Sequence, residues 1–474
     1  MTLPEYGPQE LKQAITRSRA LLPTAVDLLC EVITEVTGRA PQRECVEYVG
    51  SFWVLHACDR TVFARDRSDD AATEIIDPQW SYAHSRRADI LGLIGGRRAP
   101  ITVTDPYFKS SFGNQARAAA RLRRQFRWES VDEPVLPACD IELSRRASIA
   151  GIHPTAATSL TDLRQVIAMT APAGMIEQHH ELAQWAQAGV DERTRVCYTA
   201  NAHQSSLAYR HHLYAQRAAG SKIAIHQHGG GYGIDEDHPG EFHDIDRSDV
   251  FFTWGWNRPE LGARVRVMPT APPARTHGKP SEAPLLMSLP VTGKFFRFQP
   301  FVIPSHIARA VTETRNFVGA LQASATLRIR SSGDDKFPLD GLRGARAKIT
   351  VDDLTEPGAM AASRARLVVH NYLGTSWLET LAMNVPTVCF YDPRLYEPRE
   401  SAQPYFDMLA RVGVLHHSGL DAARFVNDFR GDPSSWWNSA EVQEAREAFV
   451  ARYANFSENW LEAWQTEFES LLAE

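Results

Sequence analysis

Hydrophobic and polar positions along the chain form two separate patterns in which strand-like and helical segments alternate. In the first, the apolar run at 196–199 precedes a helical stretch that ends at Gly220, and further apolar runs follow at 222–225 and 250–256. In the second, apolar runs at 284–291, 326–333, 347–353, 366–372 and 386–392 alternate with helical segments such as 302–323 and 376–384. Such alternation is typical of parallel sheets covered by helices. It predicts an α/β protein with two Rossmann-like domains that face a cleft.

The segment 270–284, which is rich in proline and poor in periodic apolar residues, is the best candidate for a linker between the two patterns. We therefore predict a first domain at 1–272 and a second at 273–445. The aromatic amphipathic stretch at 446–474 is predicted to be helical and could cross back onto the first domain. In open parallel sheets, ligands bind outside the carboxyl ends of the strands, so the predicted cleft is the expected binding site.

Composition and charge exclude several classes of protein. The chain has 51 Lys and Arg against 57 Asp and Glu, a net charge of −6, which does not suit a protein that coats nucleic acid. The six cysteines include no CxxC pair, which favours reduced thiols. No apolar run is long enough to cross a bilayer, and the first residues lack the features of a secretory signal. We expect a cytoplasmic protein and leave peripheral membrane association open.

The first motif with chemical content runs from His226 to Gly233 and includes three consecutive glycines, Gly229, Gly230 and Gly231. It follows a strand-like run, so it is predicted to lie at the carboxyl end of a strand. Glycines let a backbone approach a ligand closely, and their free N–H groups can hold an anion. An ordinary structural turn is the alternative interpretation.

Two histidines flank the start of this motif. His228 is our candidate general base, because an imidazole with a pKa near 6.5 suits proton transfer from a hydroxyl. His226, two positions earlier, is expected to point the same way and to bind substrate or orient His228. Glu177 and Asp249 are the alternative carboxylate bases.

A metal site is the alternative to a role of these histidines in proton transfer from a hydroxyl. His226 and His228 are followed by further candidate ligands, namely His238, His243, Asp244 and Asp246. Zinc needs three or four converging ligands, and the sequence contains no HExxH motif and no cysteine pair. We predict no metal and no other cofactor.

The second motif, Gly374-Thr375-Ser376, opens a predicted helix directly after a strand-like run. Free N–H groups and two hydroxyls at a helix start can hold a phosphate. Glu379, one turn further along, is placed to accept hydrogen bonds from ribose hydroxyls. Arg328 and Arg330, on one face at the end of a strand, are candidates to balance phosphate charge. The alternative interpretations are an ordinary capped helix and ordinary surface charge.

The chain resembles a family of transferases encoded among bacterial surface-carbohydrate genes, often beside genes for nonulosonic acids. The resemblance is carried by residues 51–67, 172–178, 196–233, 248–256 and 373–387. It is also similar to glycosyltransferases of the two-domain GT-B type and to CDP-glycerol-dependent polymerases. The resemblance implies a glycosyltransferase that moves a sugar from a nucleotide donor to a glycan or glycoprotein acceptor. By analogy, the donor would be a CMP-activated nonulosonic acid.

Two other functions remain open from the sequence. A sugar-nucleotide epimerase shares the two-domain architecture and would need a histidine and carboxylates around a single nucleotide sugar. A non-catalytic carbohydrate-binding protein would use an aromatic wall, for which Trp254 and Trp256 are the candidates.

Overall fold

The computed structural model describes residues 6–66, 98–106, 112–129, 134, 143–152, 162–276, 281, 283–288, 295, 297–329, 348–429 and 431–474. Its strands form two sheets, and every strand pairing in both sheets is parallel. The predicted α/β class with two Rossmann-like units is therefore confirmed.

Within the described residues, the first sheet has six strands in the order β2-β1-β3-β4-β5-β6. The strands are β1 Ile101–Thr104, β2 Phe126–Trp128, β3 Val196–Thr199, β4 Lys222–His226, β5 Val250–Thr253 and β6 Val265–Val267. Every side chain of β1, β3 and β5 is buried. Continuous apolar runs of this kind are expected when helices cover both faces of a parallel sheet.

The second sheet also has six described strands, in the order β12-β11-β10-β7-β8-β9. These are β7 Leu285–Ser288, β8 Ala325–Ile329, β9 Ile349–Val351, β10 Val368–His370, β11 Thr387–Phe390 and β12 Leu415–His416. The chain begins this sheet at β7, builds outward through β8 and β9, and then returns to the other side of β7 with β10. The order therefore reverses between β7 and β10, which makes that junction the topological switch point of the sheet.

Helices pack on both sheets. Those before β6 are Pro8–Ala20, Leu22–Thr37, Arg43–Asp66, Phe112–Arg121, Leu143–Ile149, Leu163–Thr170, His179–Ala188, Ala202–Ser205, Leu207–Ala218 and Pro239–Arg247. Those after β7 are Pro304–Ala320, Gly358–Ser363, Thr375–Ala382, Gln403–Arg411, Gly419–Asp428, Ser434–Trp437, Ala440–Tyr453 and Trp460–Ala473. Short 3₁₀ segments lie at Ala173–Met175 and Pro259–Arg264. No helix in the described part of the chain is long and apolar enough to cross a membrane.

The last helix, Trp460–Ala473, lies against the first sheet. Trp464 is fully buried there, and its indole Nε1 donates a hydrogen bond to the backbone carbonyl of Pro269 at 2.8 Å. Its ring packs edge-on against Tyr198 of β3 and Phe252 of β5. The chain therefore returns to its first sheet after completing the second. The exact domain boundaries, 272/273 and 445/446, stay a prediction.

A substitution of Trp464 tests the packing of the last helix against the first sheet. We expect Trp464→Ala to lower the free energy of unfolding by about 3–5 kcal/mol, because it removes a large buried ring and leaves a cavity. Denaturant unfolding followed by circular dichroism measures the change. Thr466→Ala, at an exposed position of the same helix, should stay within about 0.5 kcal/mol of the parent protein. Equal effects of the two substitutions would contradict the packing described here.

Candidate functional site

The carboxyl edges of the two sheets meet at the glycine-rich loop after β4. The backbone N–H of Gly230 donates a hydrogen bond to Thr375 Oγ1 at 3.0 Å, at the start of helix Thr375–Ala382. A Cβ on residue 230 would lie 2.6 Å from the carbonyl carbon of Gly374 and 2.9 Å from the nitrogen of Thr375. A side chain at this position would therefore push the two units apart. The structure thus brings together the two motifs that the sequence predicted to bind a phosphate.

The loop continues along the contact between the two units, here called the seam. Gly231 has a φ of +89°, and a Cβ there would lie 2.6 Å from both Asp235 and His238. The hydroxyl of Tyr396 donates to Asp235 Oδ1 at 2.9 Å, and the backbone N–H of Arg399 donates to the carbonyl of Ile234 at 2.7 Å. Burial raises the pKa of Asp235 to about 7, although the Tyr396 hydrogen bond opposes the shift. The first unit is therefore held to the second by backbone and side-chain hydrogen bonds.

His228 lies just beyond β4 and is partly exposed. Its Nδ1 is 3.2 Å from the hydroxyl of Tyr232, which in turn donates to Asp244 Oδ2 at 2.8 Å. Burial lowers the pKa of His228 to about 4, an effect that the Asp244 carboxylate partly offsets. The imidazole is therefore neutral at pH 7, as a general base must be before it accepts a proton.

His226 does not lie at the seam. It is fully buried, with Nδ1 2.9 Å from the hydroxyl of Tyr198 and Nε2 accepting a hydrogen bond from Trp254 Nε1 at 3.1 Å. Its ring also packs edge-on against Trp464. The prediction that His226 binds substrate beside His228 is wrong, because β4 ends at His226 and the strand's two-residue alternation does not extend to His228.

Both alternative carboxylate bases are held elsewhere. Glu177 is almost buried and receives two hydrogen bonds from the guanidinium of Arg146. Asp249 precedes β5, at the amino edge of the sheet, where it accepts hydrogen bonds from Ile223 N and Arg217 Nη2, both at 2.8 Å. The position of Asp249 at the amino edge contradicts its predicted catalytic role. Glu177 lies in a buried ion pair with Arg146, and its catalytic role stays a prediction.

In the second unit, Ser376 contacts groups that the sequence analysis did not select. Its Oγ lies 3.3 Å from His370 Nδ1 and 3.3 Å from the hydroxyl of Tyr372. Burial lowers the pKa of His370 to about 3. Helix Thr375–Ala382 begins after Gly374 with no side-chain cap on its first N–H groups. Glu379 is buried one turn along this helix, and its predicted contact with a ribose stays a prediction.

The two arginines predicted to balance phosphate charge have different outcomes. Arg328 is buried, and it donates to Asp352 Oδ1 at 2.9 Å and to the backbone carbonyl of Glu356. Its charge is paired with Asp352, and its predicted contact with a phosphate stays a prediction. Arg330 lies outside the described residues.

Asn371 is a site residue that the sequence analysis missed. It follows β10 at the switch point, where its Nδ2 donates to Ser288 Oγ at 2.9 Å, at the end of β7, and to Thr314 Oγ1 at 2.8 Å. Its Oδ1 is buried and has no hydrogen-bond partner among the described residues. The residue lines a small cleft together with Tyr391 and Asp392. Its position directly after an apolar run was the available sequence signal.

Asp105 is the corresponding missed residue of the first sheet. It follows β1, at the switch point between β1 and β3, and its φ of +42° is unusual for a residue other than glycine. The backbone N–H of Ala200 donates to its carbonyl at 3.3 Å. Burial raises the pKa of its carboxyl. The sequence pattern did not predict β1, so it gave no reason to select Asp105.

The comparison that decides the family covers most of the chain. Residues 84–468 match the model described as "LIC12162 family transferase". The chain belongs to this transferase family. A search of curated proteins finds no match to this LIC12162 family member.

Several solved structures are similar to this LIC12162 family transferase in overall fold. MurG of Acinetobacter baumannii is 11% identical, with a TM-score of 0.39, covering 78% of this chain and 99% of its own. A variant of Os79 from O. sativa in complex with UDP is 13% identical, with a TM-score of 0.42 and coverages of 81% and 95%. The spinosyn rhamnosyltransferase SpnG, complexed with spinosyn aglycone, is 11% identical, with a TM-score of 0.30 and coverages of 63% and 77%.

The close approach at Gly230 yields a matched pair of substitutions. We expect Gly230→Ala to destabilise the protein by about 1–3 kcal/mol, because its Cβ would overlap backbone atoms of the second unit. Gly229→Ala should cost less, since the contact there is a side-chain oxygen, Thr375 Oγ1, at 3.2 Å. Thermal unfolding of both variants measures the difference. Equal melting temperatures for the two variants would contradict the close contact at residue 230.

Proposed function

We propose that this LIC12162 family transferase is a cytoplasmic glycosyltransferase. In this proposal it moves a nonulosonic acid from a CMP-activated donor to a surface-glycan or glycoprotein acceptor. The observation that carries the proposal is the hydrogen bond between Gly230 and Thr375 at the carboxyl edges of both sheets. A transferase must hold two substrates side by side, and this seam is where loops from both units meet.

The groups that meet at the seam suit a phosphate. The N–H of Gly230 and the hydroxyl of Thr375 are both hydrogen-bond donors, so a phosphate oxygen between them would accept from each. The uncapped N–H groups at the start of helix Thr375–Ala382 add further donors and the positive end of a helix dipole. We therefore propose that the donor phosphate replaces the direct Gly230–Thr375 contact and needs no metal ion.

The nucleoside of the donor is proposed to bind in the second unit. Asn371 Oδ1, which has no partner in the part of the chain that the structure describes, is an acceptor at the switch point, where nucleotides bind in many α/β sheets. A cytosine amino group or a ribose hydroxyl would satisfy it, and Glu379 remains the candidate for the other ribose hydroxyls. Because an unpaired buried acceptor is costly, a ligand donor at this position would contribute to affinity.

The acceptor is proposed to bind on the side of the first sheet. A hydroxyl nucleophile must lose its proton as the new bond forms, and neutral His228 is the candidate to receive it. The Tyr232 hydroxyl donates to Asp244 and therefore accepts from His228 Nδ1–H, which fixes the ring and leaves Nε2 as the candidate proton acceptor. Asp105, at the same carboxyl edge, is the alternative base that the sheet topology offers.

Nucleotide binding is the first test. We expect CMP at about 100 times its Kd to raise the free energy of unfolding by about 2.7 kcal/mol, because it binds only the folded protein. The increase in melting temperature should be the same in EDTA, since no metal bridges the phosphate. Thr375→Ala combined with Ser376→Ala should abolish the increase while circular dichroism shows an intact fold.

Three results would contradict this donor site. A CMP-induced increase in melting temperature that persists in the double variant would place the phosphate elsewhere. A shift with UDP or GDP but not with CMP or CDP would exclude a cytidine donor. A CMP-induced shift that EDTA removes and magnesium restores would show that a metal ion holds the phosphate.

The role of His228 is tested by turnover, measured as CMP released from a CMP-nonulosonic acid in the presence of acceptor. We expect His228→Ala to lower turnover at least about a hundredfold while CMP binding persists, because a positioned base contributes about 10²–10⁴-fold. His180→Ala, which removes an imidazole from the first turn of helix His179–Ala188, should leave turnover unchanged.

Near-normal turnover in His228→Ala would exclude this base, and loss of turnover in Asp105→Asn would then assign the role to Asp105.

The reaction products distinguish a glycosyltransferase from the two other functions. An epimerase would change the donor sugar without any acceptor, whereas a carbohydrate-binding protein would release no nucleotide.

A further inference from the structure

A second cluster of titratable side chains lies behind His228 and Tyr232, inside the first unit. His203 follows β3, and His243 and Asp244 lie in helix Pro239–Arg247; none of the three is more than 4% exposed. One ligand atom from each lies within 4.8 Å of the others. Asp244 Oδ1 is 2.7 Å from His203 Nε2 and 3.1 Å from His243 Nδ1. Two imidazole nitrogens therefore converge on one carboxylate oxygen.

The hydrogen bonds of His243 indicate which of its nitrogens carries the proton. Its Nε2 is 2.8 Å from Ser51 Oγ, and the Ser51 hydroxyl donates to the backbone carbonyl of Tyr48 at 2.9 Å. A serine hydroxyl has one proton, so Ser51 then accepts a hydrogen bond from His243 Nε2. A neutral imidazole has one N–H group, which leaves the lone pair of Nδ1 facing the Asp244 carboxylate. Two acceptors at 3.1 Å repel each other unless a cation lies between them.

The remaining contacts of the Asp244 carboxylate leave the side of Oδ1 that faces His203 and His243 available to a cation. Tyr232 donates to Oδ2, and the amide of Gln204 lies 3.1 and 3.2 Å from the two oxygens. The Asp244 carboxylate holds the proton of His203 on Nε2. His203 Nδ1, which is buried without a hydrogen-bond partner among the described residues, can take that proton when Nε2 binds an ion. Two imidazoles and a carboxylate are the ligand types that zinc and similar ions prefer.

We propose that His203 Nε2, His243 Nδ1 and Asp244 Oδ1 bind a divalent transition-metal ion, with zinc the best match to these donors. The chain from His243 through Ser51 to the Tyr48 carbonyl is the outer hydrogen-bond support that metal-bound histidines commonly have. A cavity of about 260 Å³ lies on the outer side of this cluster and is lined in part by Ser51 and His243.

The ion would stabilise the first unit without touching the donor phosphate. Asp244 also accepts the hydrogen bond from Tyr232, the residue that contacts His228. By holding Asp244 in place, the ion would therefore fix the position of Tyr232 and, through it, of the candidate base. This site differs from the one considered from the sequence, since His226 lies in the core and His203 was not selected. It does not depend on the proposed glycosyl transfer.

Metal content of the full-length protein tests the proposal. The protein is expressed in zinc-supplemented medium, purified without chelator and analysed by inductively coupled plasma mass spectrometry. We expect about one equivalent of zinc per chain. Asp244→Asn and His203→Ala should each lose most of it, whereas His306→Ala, which removes a buried imidazole bonded to backbone groups, should retain it. Protein grown with cobalt should show the visible absorption of four-coordinate Co²⁺, which Asp244→Asn abolishes.

Two outcomes would overturn the site. One is protein that contains no stoichiometric metal and whose melting temperature does not change when zinc or cobalt is added; a proton would then hold the histidine–aspartate cluster together. The other is full metal content in both Asp244→Asn and His203→Ala, which would place the ion elsewhere. Asp244→Asn is nearly isosteric, so a folded variant is available even if His203→Ala fails to fold.

Discussion

The structure depends on the close approach of a glycine backbone to the start of a helix. Gly230 lies so near Gly374 and Thr375 that no Cβ fits between them. This contact joins the carboxyl edge of the first sheet to that of the second, and the hydrogen bond from Gly230 to Thr375 fixes their relative position. Because both edges are where parallel sheets bind ligands, one steric constraint sets the geometry of the candidate site.

The two units contribute different chemistry on either side of this contact. The first presents a neutral histidine, His228, supported by Tyr232 and by Asp244. The second unit presents hydrogen-bond donors at Thr375 and Ser376 and the Asn371 acceptor, which no described residue pairs. The proposed function assigns a base to one side of the seam and a nucleotide site to the other, the arrangement that group transfer between two substrates requires.

Sequence patterns predicted the parts of the site that local signals specify. Gly230 and Thr375 were found because strand ends and helix starts have recognisable residues. Local patterns could not reveal that Arg146 pairs with Glu177 or that Asp249 lies at the amino edge of the first sheet, since both contacts depend on distant segments. His226 was misplaced because strand alternation was extended past the end of β4. Asp105 was missed because β1 has only four residues and no clear flanking signal.

The most direct test of the central claim is a crystal structure of the protein with CMP bound. The account predicts that the phosphate lies between the units, with its oxygens within hydrogen-bond distance of Gly230 N and Thr375 Oγ1. It also predicts that the nucleoside lies at the β7–β10 switch point, beside Asn371. A nucleotide bound away from this seam, with the Gly230–Thr375 hydrogen bond intact, would contradict it.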